Sequence, residues 1–174
     1  MSNFHSVPAT QFSSLFDRIS QEWMLISASD GQTTNSMTAS WGCFGVLWGK
    51  RVAVCFIRPQ RYTFDITERA QTLSLAFFDK QYHSALAYMG SHSGRDGDKY
   101  VATGLHMIED ENGTPFPAEA RVVLLCRQLY AGRLQKDNFI DPSVISTHYP
   151  ADDYHQMYVC EIERVLIRDE STQV

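Results

Sequence analysis

No apolar run in this sequence approaches the roughly 20 residues that a membrane-spanning helix needs. Met1 to Gln11 has no basic start followed by an apolar block, so no leader is expected and the cytoplasm is the expected compartment. The cysteines are only four, Cys43, Cys55, Cys126 and Cys160, widely spaced and without a C-x-x-C pair, which argues against a zinc site or a disulfide frame. Three of them, Cys55, Cys126 and Cys160, sit in apolar runs and read as small buried hydrophobes. The histidines form no H-x-x-x-H pair, so no metal is expected. There is no excess of positive charge: the formal net charge is −5, where a nucleic-acid binder usually carries a basic stripe. Neither nucleic acid nor membrane is therefore an expected partner. No phosphate loop of the G-x-x-x-x-G-K-[ST] type and no G-x-G-x-x-G fingerprint is present. Gly90-Ser91-His92-Ser93-Gly94 has histidine where a nucleophile elbow has serine. Repeats, low-complexity tracts and linkers are also missing, and 1–174 reads as a single domain.

What remains is ordinary globular composition, 44% hydrophobic and 20% charged over 174 residues, enough for a buried core. Phe12, Leu15, Phe16, Ile19 and Trp23 recur at helical spacing and predict an amphipathic helix. The period then shortens. Trp23 to Ser29 and Thr33 to Trp41 read as strands joined at Asp30-Gly31. Val52 to Ile57 is a near-continuous apolar strand, ended by Pro59. Phe64 to Ala70 predicts a short helix with Thr63 as its N-cap. Thr72 to Phe78 is a strand, and Ser84 to Met89 a helix stopping at Gly90. Ser91 to Lys99 is polar, with Gly94 and Gly97, and predicts a loop. Asn112-Gly113 marks a hairpin, Ala120 to Leu134 a long strand bulged near Arg127, Asp141 to Thr147 a helical turn, and Met157 to Ile167 the last strand. About six strands and three or four short helices, without crossover helices between strands, predict a mainly β fold: an antiparallel barrel with peripheral helices.

Three segments carry candidate chemistry. Asn35-Ser36-Met37-Thr38-Ala39-Ser40-Trp41 is a strand of small hydroxyl residues ending in an aromatic, over which a ligand can approach the backbone; it also fits a strand with one solvated face. Arg58-Pro59-Gln60-Arg61-Tyr62-Thr63 brings two guanidinium groups, a hydroxyl and a helix start together, a set suited to phosphate; it equally fits two solvated arginines. Ser91-His92-Ser93-Gly94-Arg95-Asp96-Gly97-Asp98-Lys99 can close over a phosphate or ring edge, or be a plain surface loop.

In this order, N-S-M-T-A-S-W-G, F-I-R-P-Q-R-Y-T and G-S-H-S-G-R-D-G-D-K-Y resemble the flavin reductase-like proteins with an FMN-binding split β-barrel, from about Trp23 to Leu166. The resemblance implies a six-stranded antiparallel split barrel and a homodimer with FMN at the subunit interface. It implies cofactor contacts from Asn35 and from Met37, Thr38, Ala39, Ser40 and Trp41, the last five along the flavin ring and ribityl chain. Arg58, Pro59, Arg61, Tyr62 and Thr63 would follow on the phosphate side. Ser91, Ser93, Gly94 and Lys99 would close the site. Related reductases carry a Gly-Asp-His motif before the last strand. Here the stretch reads Asp153-Tyr154-His155, and Cys160 stands where glycine is common. His155 is the implied catalytic residue, beside the nicotinamide of NAD(P)H as electron donor. The implied activity is an FMN-binding oxidoreductase, a flavin reductase passing hydride from NAD(P)H to flavin. The alternatives are a flavoredoxin-like electron carrier that holds FMN permanently, has no direct NAD(P)H site and works with a redox partner protein, and a flavin-binding or storage module with weak incidental reductase activity.

Overall fold

The computed structural model describes residues 4–6 and 18–169. The strands are β1 (Phe4–Ser6), β2 (Met24–Ser29), β3 (Thr34–Ala39), β4 (Gly42–Leu47), β5 (Lys50–Ile57), β6 (Thr72–Phe77), β7 (Met107–Glu109), β8 (Pro115–Pro117), β9 (Val122–Arg133) and β10 (Gln156–Arg168). The helices are α1 (Tyr62–Thr67), α2 (His83–Ser91), α3 (Lys99–Thr103) and α4 (Pro142–His148). One antiparallel sheet runs β3-β2-β6-β9-β10-β5-β4, with β1 added along the far half of β10; β7 and β8 form a separate hairpin.

The inner face of this sheet curls around one core. Met24 and Ile26 of β2, Cys55 and Ile57 of β5, Leu73 and Leu75 of β6, Leu124 of β9 and Tyr158 of β10 pack there with Ile66 of α1, all essentially inaccessible to water. Such burial is the main stabilising term of a fold this size. A second core covers the outer face of β2, β6 and β9: Leu25, Ala76, Val123 and Leu125 pack under Leu86 and Met89 of α2 and Phe116 of β8. These strands are buried on both faces, which is why their sequences read as continuous apolar runs rather than alternations. Buried polar side chains on β2 and β3 are satisfied internally: the Ser27 and Ser36 hydroxyls lie 2.7 Å apart, and Ser36 is 2.9 Å from the Tyr100 hydroxyl.

The mainly β antiparallel architecture agrees with the sequence, but six strands is an undercount. Val52 to Ile57 is β5 as expected, but β4, which pairs with it as a hairpin, was missed. The two-residue turn between them places Trp48 at φ 53° and Gly49 at φ 70°, the left-handed pair of the tight hairpin turn, in a Trp-Gly sequence without the usual Asn-Gly signal. The helical face expected at Phe12, Leu15 and Phe16 lies outside the described residues; the chain after it, Arg18–Glu22, is a π-helical turn with Ile19 buried. Thr63 is not an N-cap. Arg61 holds that position, and Thr63 lies inside α1. Gly90 does not stop α2, which continues to Ser91; it lies where the helix packs close to β3, and a methyl there would be 3.3 Å from Thr38 Cβ, a tight contact. The expected bulge near Arg127 is real: register shifts between β9 and β10 fall on both sides of it.

Candidate functional site

Two adjoining cavities, each of about 220 Å³, form a groove along β3, and Arg61 lines both. The sequence brings three stretches to it. β3 runs its full length beneath the groove. The turn from β5 into α1 supplies Arg61, Tyr62 and Thr63. The segment from the end of α2 to the start of α3 closes the far side.

The first cavity is cationic. Lys99 is 4% exposed, and its Nζ donates to the carbonyls of Ser36 at 2.6 Å and Met89 at 3.2 Å. Burial and the charge of Arg61 pull its pKa down to about 8. Burial also lowers the pKa of Arg61, whose Nη2 is buried with no hydrogen-bond partner. An unpaired buried guanidinium nitrogen is costly, and two cations facing one cavity repel, so this end is built for an anion. Asn35 Nδ2 donates to the Thr63 hydroxyl at 2.9 Å, fixing β3 to α1 at the cavity floor.

The loop over this cavity is held, not loose. Arg95 pairs with Asp65 of α1 and lies 4.7 Å over the Tyr62 ring, and Asp98 caps α3 by accepting from Tyr100 and Val101 N–H. Gly94 sits so close to β3 that a methyl would overlap the Asn35 amide oxygen and lie 3.1 Å from Tyr62 Cδ1. Glycine alone lets the loop backbone come this near the groove.

The second cavity is aromatic. Met37, Thr38, Ala39, Ser40 and Trp41 form one side, Phe56, Arg58 and His155 the other. The Trp41 ring lies 5.1 Å from both the His148 and the His155 rings. Here the second arginine is paired: Arg58 pairs with Asp153 and donates to the His148 carbonyl at 2.9 Å, and Gln60 donates to the same carboxylate at 2.7 Å. That pairing holds the Asp153 carboxyl below its usual range. His155 is 8% exposed; burial and the Arg58 charge depress its pKa to about 4, partly opposed by Asp153, so the imidazole is neutral at pH 7.

Of the site residues expected from sequence, the structure brings Asn35, Arg61, Tyr62, Thr63, Ser91, Ser93, Gly94 and Lys99 to the cationic cavity, and Met37 to Trp41, Arg58 and His155 to the aromatic one. Arg58 lines only the aromatic cavity, its guanidinium paired with Asp153, whereas Arg61, whose backbone N–H donates to the Arg58 carbonyl at 3.0 Å, reaches both. Pro59 lines neither cavity. His155 is no rim residue in solvent: it is buried and its ring packs against those of Trp41, Phe56 and Tyr149. The sequence reading missed Phe56, which faces outward from an apolar strand, and the segment carrying His148, Tyr149 and Asp153, which has no local signal.

A family model described as a flavin reductase like domain matches residues 16–173. Among solved structures the chain is similar to an FMN-binding domain of a flavin reductase-like enzyme from Shewanella baltica, with a TM-score of 0.70 and 16% identity over 96% of this chain and 78% of that one. It is also similar to the flavoredoxin of Desulfovibrio vulgaris (TM-score 0.66, 18% identity, 86% of this chain and 70% of that one). A third is an NADH:FAD oxidoreductase from Streptomyces globisporus (TM-score 0.62, 13% identity, 84% of this chain and 80% of that one). At these identities the likeness is one of fold. No curated protein gives a significant sequence match.

Proposed function

Because the chain belongs to the flavin reductase-like family, we propose that it binds FMN along this groove and acts as an oxidoreductase, taking hydride from NAD(P)H. The observation that carries the reading is the buried Arg61 Nη2 without a hydrogen-bond partner, near Lys99 and roofed by the Gly94 loop, at one end of a groove whose other end is aromatic. A phosphate fits the first end and a planar ring the second. Arg61 and Lys99 would hold the phosphate, with Ser91, Ser93 and Gly94 above it; β3 from Met37 to Trp41 would carry the ring. Bound flavin supplies hydride acceptance and one- or two-electron release. The chain's own residues bind, orient and exclude water, and no protein nucleophile is needed.

A homodimer fits the same picture. The outer face of β2, β6 and β9 is covered by α2 and β8, whereas the β4–β5 hairpin exposes Leu47 and Trp48, and Tyr130 and Trp41 are also exposed. A second copy over this face would close the aromatic cavity beside Trp41. Light scattering of the FMN-loaded protein is expected to report a dimer; a monomer at working concentration would overturn this part.

One feature favours the electron carrier. Arg58, which lines the aromatic cavity and not the cationic one, is already paired with Asp153 and is not free for a dinucleotide phosphate. The test is the spectrum of the purified protein with and without NADH or NADPH under anaerobic conditions. Bleaching of the flavin band by either nucleotide supports the reductase. Bound flavin that bleaches only with dithionite or a partner protein supports the carrier. No bound flavin at all refutes both.

A further inference from the structure

Resting on the reductase reading, we infer that Tyr149 is the positioning residue for His155: its hydroxyl donates to Nδ1, so that Nε2–H faces the aromatic cavity as a fixed donor for the carbonyl oxygen of a nicotinamide-type ligand. Tyr149 follows α4 directly, and its backbone N–H donates to the Ile145 carbonyl at 2.8 Å. Its ring is 4% exposed, packed 4.8 Å from Tyr154 and 5.7 Å from Phe139, with the Arg58 guanidinium 5.4 Å from its centroid. The ring is therefore not free to swing. Its hydroxyl lies 3.0 Å from His155 Nδ1.

The direction of that bond follows from counting protons. The imidazole is neutral at pH 7, so it carries one N–H. Burial raises the phenol pKa, so Tyr149 keeps its proton. Among the described residues that phenol proton has no acceptor other than Nδ1. Were Nδ1 protonated, it would donate to the phenol oxygen and leave the buried O–H without a partner. With Nδ1 accepting, the buried phenol O–H is satisfied, and the imidazole proton sits on Nε2, at the cavity side of the ring. Nε2 makes no hydrogen bond within the described protein. His155 lines the cavity between Trp41 and Phe56, its ring held 5.1 and 6.4 Å from theirs, and its carbonyl is fixed by Leu134 N–H at 3.0 Å. A donor so placed selects a planar ligand that offers a carbonyl oxygen, and it orients a carboxamide with oxygen, not nitrogen, toward the imidazole.

The test uses the FMN-loaded protein with 15N-labelled histidine. Long-range 1H–15N correlation spectra read the tautomer without turnover, and the His155→Ala spectrum identifies the signal. The wild type is expected to show Nε2 protonated, and Tyr149→Phe to lose that preference. Tyr149→Phe is also expected to slow anaerobic flavin reduction by NADH about tenfold, the scale of one lost hydrogen bond, with FMN affinity within about twofold of wild type. A wild-type spectrum with Nδ1 protonated would overturn the inference. So would a Tyr149→Phe protein that keeps the tautomer, or one that loses it and reduces at the wild-type rate. If neither nucleotide reduces the wild type, the reductase reading fails, and the spectrum alone decides whether Tyr149 sets the tautomer.

Discussion

The two ends of the groove differ in how their charges are settled. At the cationic end Arg61 has a buried nitrogen with no partner and Lys99 donates to two carbonyls, and among the described residues no carboxylate pairs with either. At the aromatic end, apart from Arg61, which reaches both cavities, the charges are settled: Arg58 lies on Asp153, and His155 is neutral and bonded to Tyr149. An unsettled charge is stabilised by a ligand that brings the opposite one, so affinity belongs to the first end. A settled, rigid group gains little from ligand charge but fixes direction, so orientation and electron transfer belong to the second.

The largest effect should come from breaking the aromatic end. His155→Ala is expected to slow reduction of bound FMN by NAD(P)H by up to about a hundredfold, because a small misplacement of reacting atoms costs that much, while FMN affinity stays within about twofold. Anaerobic stopped-flow reads the rate. An unchanged rate at every nucleotide concentration would remove His155 from the mechanism and favour the carrier.

A smaller effect is expected at the cationic end from Gly94→Ala. The added methyl overlaps the Asn35 amide, so the loop must lift from β3. FMN binding should weaken about tenfold, the equivalent of one charge-assisted hydrogen bond, with the reduction rate of bound flavin little changed. Equal affinity of variant and wild type in a fluorescence titration would mean that the loop does not touch the cofactor.

The smallest effect is the pH response. The Lys99 pKa of the free protein is lowered to about 8, so the cation is present below that pH and lost above it. A bound phosphate favours the charged form, so FMN affinity should fall severalfold between about pH 7 and pH 9.5. Riboflavin, without the phosphate, should show no such fall. A flat profile for FMN would take Lys99 out of the phosphate site.

The same contrast explains what could be read in the sequence. The cationic end was legible because its parts are local: a strand of small residues from Asn35, two arginines just before a helix start that was expected at Thr63, and a glycine-bearing polar stretch reaching Lys99. Each has a physical signature independent of the rest of the chain. The aromatic end was legible only where β3 forms it. Asp153 lies 95 residues from Arg58, and nothing near either residue shows that they meet. Tyr149, Phe139 and Tyr154 are aromatics at no regular spacing, brought together by the turn after α4. β4 was missed for a related reason: Gly42 and Gly45 break the alternation expected of a strand, and Gly42 is favoured because the Val54 carbonyl of β5 and the Met24 side chain of β2 pass beside it.

The central claim is that this groove holds its cofactor by the phosphate at Arg61. It is tested most directly by titrating the apoprotein with FMN and with riboflavin, in the wild type and in Arg61→Ala. Hydrogen bonds to charged groups contribute about 1.5–3 kcal/mol each. The wild type should therefore bind FMN at least about tenfold more tightly than riboflavin, and Arg61→Ala should erase most of that margin while leaving riboflavin affinity unchanged. Equal affinity of the wild type for the two flavins would contradict the claim.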